Sequence, residues 1–148
     1  MSENIKLESL LNDPSLVAKK AYVAGEWINA QNGKTFDVIN PATGEIIASL
    51  PDLDVSDAKH AIDSAALAQK KWAQYTGKER AAILREMYNL MTLHANDLGI
   101  ILTAEMGKPL AEGTGEIAYA ASFFEWFGEE ATRIYGETIP GHMRDKRI

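Results

Sequence analysis

Gly113-Thr114-Gly115-Glu116-Ile117-Ala118 has the G-x-G-x-x-A spacing of a loop that wraps backbone N–H groups around a dinucleotide pyrophosphate. That chemistry needs a strand before the first glycine, and here a helical stretch and a Gly-Lys-Pro turn precede it. The run is therefore read as a loose helix start, and no residue is assigned to cofactor binding. Gly107-Lys108-Pro109 lacks the spaced upstream glycine and the Ser/Thr of a phosphate loop, so it too is read as a turn. His60, His94 and His142 have no metal-ligand spacing, and no Ser-His-Asp or H-E-x-x-H arrangement is present. With no cysteine, the chain has no thiolate nucleophile, disulfide or thiolate zinc site. No catalytic residue is assigned. Glu105 falls in the last turn of a predicted helix, where the dipole disfavours a carboxylate. Two readings stay open for it: a solvated surface position and a ligand to a bound cation. Glu129 and Arg133 stand four apart and read as an exposed helical pair.

The elements that would position these residues divide near Asp54. Before it, Ile5, Leu7, Leu10 and Leu11 suit a short amphipathic helix stopped before Pro14. Residues 21–28 read as strand with a tight turn at Ala24-Gly25, and 36–39 and 45–50 as a hairpin around Asn40-Pro41-Ala42-Thr43-Gly44. After it, the period turns helical. A first helix capped by Asp54 or Ser56 carries the stripe Ala58, Ala61, Ile62, Ala65, Ala68 and Trp72. Thr76-Gly77-Lys78-Glu79 is a capping box opening a second helix, with Ile83, Met87, Leu90 and Leu93 or His94 expected inward. Asn96 is expected to cap a third helix over 97–106 closed by Gly107, and Pro109 to open a fourth running to about 135, stopped by Gly136. Residues 145–148 look like the start of a strand. The expected class is α+β, mainly α: two short antiparallel hairpins followed by about four helices.

The fourth helix is apolar nearly all round. Ile117, Ala121, Phe124, Gly128 and Ala131 can pack on other helices, which leaves Tyr119, Phe123 and Trp126 with little to cover them. Net charge is 15 − 21 = −6, which excludes a phosphate-backbone surface and hence a nucleic-acid partner. No signal peptide or membrane span is readable, so a cytoplasmic chain without a membrane partner is expected.

Four segments in order carry a resemblance: Val23-Ala24-Gly25-Glu26-Trp27, Ile39-Asn40-Pro41-Ala42-Thr43-Gly44-Glu45, Glu105-Met106-Gly107-Lys108-Pro109-Leu110 and Tyr135-Gly136-Glu137-Thr138-Ile139-Pro140. Together they resemble the opening third of the aldehyde dehydrogenases. The run Gly115-Glu116-Ile117-Ala118-Tyr119-Ala120-Ala121-Ser122-Phe123-Phe124-Glu125-Trp126-Phe127 resembles the succinate-semialdehyde branch in particular. The resemblance implies an N-terminal extension over 1–20, the flank of the cofactor-binding domain over 21–140, and the start of an oligomerisation arm over 141–148. It also implies NAD(P)-dependent oxidation of an aldehyde to an acid through a cysteine thiolate. A hydride leaves to NAD or NADP, and a glutamate-activated water releases the acyl group. Those groups are expected outside these 148 residues, so the chain alone is expected to be inactive and to bind no cofactor.

Two sites come with the resemblance alone. A monovalent cation is implied at Ile39 (backbone carbonyl) and Glu105, and a substrate tunnel at Tyr119 and Phe123. A small aldehyde and a homo-oligomer, dimer or tetramer, are the implied partners of the longer enzyme; Arg80, Arg85 and Arg133 match no carboxylate-binding position. The competing expectation is a non-catalytic helical module that binds a protein partner through its aromatic face, with a small-ligand carrier behind it.

Overall fold

A computed structural model of the chain describes residues 6–137, 139 and 141–146. Strands β1 (Ala21–Val23) and β2 (Glu26–Ile28) pair antiparallel through a two-residue turn. Ala24 (φ 54°) and Gly25 (φ 90°) both take positive φ there, the left-handed geometry whose twist matches a hairpin. The second hairpin joins β3 (Thr35–Ile39) to β4 (Ile46–Pro51), with an irregularity between Val38 and Ile39. Pro51 is the last paired residue, opposite Thr35, a strand-end position that a residue without N–H tolerates.

Four helices follow: α1 (Val55–Trp72), α2 (Gly77–Leu93), α3 (Ala95–Met106) and α4 (Leu110–Glu130). Asp54 with Asp57, and Thr76 with Glu79, form the reciprocal capping boxes that open α1 and α2. Ser56 and Asp57 hold the Asp54 carboxyl below its ordinary range, and the Thr76 backbone N–H and hydroxyl do the same for Glu79. Gly107 (φ 72°) closes α3 in the left-handed conformation.

Several expectations need correction. The N-terminal segment is not an α-helix. It forms two 3₁₀ turns, Leu7–Leu10 and Pro14–Leu16, because Pro14 and the Asp13 side chain cut the run short; Ile5 lies outside the described residues. Asn96 caps nothing, since α3 starts at Ala95 directly after His94, the residue that ends α2. Helix α4 stops at Glu130, short of Gly136, as Thr132 Oγ1 turns back to the Glu129 carbonyl. Residues 144–145 lie in a turn and Lys146 is in no strand, so the strand predicted over 145–148 is not formed there; residues 147–148 fall outside the described residues.

Helix α4 lies across α2 and α3 and makes the main helix packing of the chain. Small residues set the distance. A Cβ on Gly113 would sit 2.8 Å from the Gly99 carbonyl oxygen, and one on Gly99 would sit 2.6 Å from Thr114 Oγ1. At the other end, Gly128 rests on Leu84 and Ala81 of α2. The expected α4 stripe faces inward: Ala121 and Gly128 are buried, and Ile117, Phe124 and Ala131 half-buried. The expected face of α2 is wrong. Ile83, Met87, Leu90 and Leu93 are exposed, only the alternative His94 is half-buried, and Ala81, Leu84, Tyr88 and Met91 are the half-buried apolar set. Contact with Gly128 selects that second stripe. Helix α1 lies outside the cluster, and of its stripe only Ala61 and Trp72 are even half-buried.

The N-terminal segment is clasped onto this cluster. Leu7 and Leu11 are buried, the first 3₁₀ turn packing against α3. Asn12 Nδ2 donates to Asp97 Oδ1 at 2.9 Å, and the Asp13 N–H to Asp97 Oδ2 at 2.8 Å. Asp97 is only 2% exposed. The Asp13 N–H, with help from Asn12, holds its carboxyl below the ordinary range.

Two tests follow from this packing. Gly113→Val should cost about 1–3 kcal/mol by overpacking the α3–α4 crossing. Gly115→Ala, with open space around it, should instead gain up to about 1 kcal/mol from helix propensity; urea unfolding of both variants checks the contrast. A carboxyl with a depressed folded pKa stabilises the fold above its unfolded value and stops doing so as pH falls through the folded one. The Asp97 clasp should therefore hold at neutral pH and fail below the ordinary carboxylate range. Asp97→Asn should lower stability at pH 7 and flatten its acid loss, read by denaturant melts across pH.

Candidate functional site

The aromatic row of α4 has a defined geometry. Tyr119 and Phe123, one turn apart, meet edge to face with ring centroids 4.9 Å apart. Tyr119 is 67% exposed, Phe123 46% and Trp126 63%, as the packing of the opposite stripe requires. Ser122, Phe123, Glu125, Trp126, Phe127 and Glu129 line an open groove along the same face. A row of uncovered aromatics suits apolar ligand atoms or a partner surface.

The charges beside this groove are already engaged. Arg85 of α2 donates through one Nη to Glu125 at 2.8 Å and through the other to Glu129 at 3.2 Å. Both carboxylates raise the Arg85 pKa, Glu125 most, and the guanidinium also stands 5.3 Å from the Tyr88 ring centroid. Glu129 thus pairs across helices, and Arg133 pairs with Glu130 three residues back; the expected Glu129–Arg133 pair is not formed. A substrate carboxylate in this groove would need a cation from elsewhere.

Near the implied site, the β3–β4 turn after Ile39 approaches the end of α3 after Glu105. Pro41 of the β3–β4 turn sits against Gly107, a Cβ on which would lie 2.9 Å from Pro41 Cγ. Glu105 is exposed in the last turn of α3. Among the described residues, no group of three or more His, Asp or Glu could hold a metal ion. Gly113-Thr114-Gly115 lies inside α4, with Gly113 buried against α3, so its N–H groups are spent on the helix. That run does not form a loop around a dinucleotide pyrophosphate. The three histidines are not brought together; His94 joins α2 to α3 beside the Asp97 clasp. Sequence reasoning missed Asp97 and Arg85, since their partners lie 84–85 and 40–44 positions away and no local pattern marks them.

Two hairpins, a three-helix cluster and an uncovered aromatic face make up the described chain, and comparison with known proteins places it. The chain belongs to the aldehyde dehydrogenase family, whose model matches residues 27–148. It is 55% identical over 138 residues to a glutarate-semialdehyde dehydrogenase of Pseudomonas aeruginosa, covering 93% of this chain and 29% of that protein. It is 52% identical, with the same coverage, to the NADP(+) succinate-semialdehyde dehydrogenase of Escherichia coli. A crystal structure of an E. coli NADP-dependent enzyme superposes with a TM-score of 0.89 at 52% identity, over 93% of this chain and 28% of the other. The chain thus spans under a third of the length of these relatives, at their N-terminal part. Among the described residues, no helix is long and apolar enough to cross a membrane.

The uncovered row should bind a hydrophobic dye. Phe123→Ser with Trp126→Ser should reduce dye fluorescence several-fold and raise the concentration at which the chain self-associates, while helix content by circular dichroism stays unchanged.

Proposed function

We propose that these 148 residues serve as the N-terminal flank of an oxidoreductase that converts a short, carboxylate-bearing aldehyde to the acid with NAD or NADP, and that alone they are inactive. The observation that carries this reading is surface. A self-contained monomer of 16.3 kDa exposes about 7,500 Å², whereas this chain exposes 11272 Å². The excess suits a portion of a larger folded unit. The names of the P. aeruginosa and E. coli relatives support semialdehydes as the substrate class. Without a cysteine, no residue here can form the thiohemiacetal that would precede oxidation.

In this reading Tyr119 and Phe123 line the path of the aldehyde. Ile39 and Glu105 hold a monovalent cation, favoured by a carboxylate at the negative end of α3. A rise in melting temperature with K⁺ or Na⁺ but not choline, lost in Glu105→Gln, is the trace such a site would leave. The longer enzyme is proposed to work as a homo-oligomer in the cytoplasm. A second reading, a non-catalytic module that docks a protein through the α4 groove, is supported by the groove's openness alone.

The purified 148-residue protein, given succinic or glutaric semialdehyde with NAD or NADP, should form no reduced cofactor above the protein-free rate. Turnover that co-purifies with the chain would sink the proposal of an external nucleophile.

A further inference from the structure

A second groove lies where the end of α1 and the start of α2 meet the end of α4. Trp72, Arg80, Leu84, Phe127, Arg133 and Ile134 line it, with Glu130 and Ala131 at its floor. That floor is set by backbone: Gly77 lies so close to the Ala131 carbonyl and Thr132 that no side chain fits between them. The walls are apolar and open, Phe127 being 56% and Ile134 71% exposed.

The charges in this groove do not balance. Glu130 is matched by Arg133. Arg80 makes no ion pair or side-chain hydrogen bond among the described residues, and its Nε is shut off from solvent without an acceptor. Arg80 also belongs to the first turns of α2, its N–H bonded to the Thr76 carbonyl, at the positive end of that helix. Its own helix therefore gives the guanidinium no electrostatic support. Arg85, five residues on, shows a satisfied arginine on the same helix, with one carboxylate on each Nη. A guanidinium N–H shielded from water and left unpaired is an exception among native structures, and a carboxylate is its strongest partner.

We propose that this groove docks a peptide segment presenting one carboxylate beside a large apolar side chain. The carboxylate accepts from the two Nη groups of Arg80, which line the groove, and the apolar side chain covers Phe127 and Ile134. Charge complementarity sets the partner's chemistry: one unmatched guanidinium between apolar walls.

Trp72 offers the readout. In a Trp27→Phe, Trp126→Phe background it is the sole tryptophan, and its emission can be followed as N-acetyl-Leu-Asp-Leu-amide is added. The expected result is a saturable change with that peptide, at least ten-fold weaker with the Asn counterpart and in Arg80→Gln. Arg80→Lys should keep only part of the affinity, having lost the paired Nη donors. Phe127→Ser, which leaves Arg80 intact, should weaken binding at least five-fold and keeps the test open if Arg80→Gln fails to fold. Equal response to the Asp and Asn peptides, or no saturable response, overturns the proposal. So does butyrate acting as well as the peptide, which would mean a small-anion site. Emission that follows protein concentration without peptide would make a second copy the occupant and overturn it too.

Discussion

Close approach of α4 to its two neighbours is the constraint on which the rest depends. Three glycines, Gly99, Gly113 and Gly128, bring helix backbones near enough that a single added methyl group would meet a carbonyl or hydroxyl oxygen or the base of Leu84. With the axes set at that distance, one stripe of α4 is committed to the interior and its aromatic row to the outside. The same contact decides which face of α2 is covered and places Arg85 within reach of both Glu125 and Glu129. The crossing thus fixes both the interior and the outward groove.

Much of the local structure was legible because its causes are local. Ala24-Gly25 and Gly44 mark turns that need positive φ, Thr76-Gly77-Lys78-Glu79 writes its capping box in consecutive residues, and Gly107 ends α3 as a left-handed cap. The dinucleotide-like spacing falls inside α4, where Gly113 serves the crossing with α3. What the sequence hid is long-range. Helix α2 carries two apolar stripes of the correct period, and only its packing against α4 chooses between them. Asp97 looks like any acid in a helix's first turn until Asn12 and Asp13 fold back onto it. The same rule that places the α4 stripe inward predicts an inward stripe on α1, yet of that stripe only Ala61 and Trp72 are even half-buried.

The distribution of exposed apolar side chains is consistent with the family. Val55 and Ile62 on α1, Ile83 and Leu90 on α2, and Tyr119 and Trp126 on α4 each lie two turns apart on one exposed face of their helix. Single exposed apolar residues are ordinary on any protein, but three helices each presenting an uncovered stripe are not. Such an arrangement suits a layer packed on more than one side. The relatives, more than three times as long, have chain enough to supply the other layers.

His94 ends α2 and stands immediately before α3, so the two helices share a junction with no slack. Each residue of a helix turns it by about 100°. One residue inserted after His94 would swing Gly99 away from Gly113 and carry Asp97 out of reach of Asn12, undoing the crossing and the clasp together. Evolution can vary side chains freely along much of this elbow, but it cannot vary its length. Within the family, the stretch from Leu84 to Gly113 should therefore align without gaps, and the hairpin turns should absorb the insertions instead.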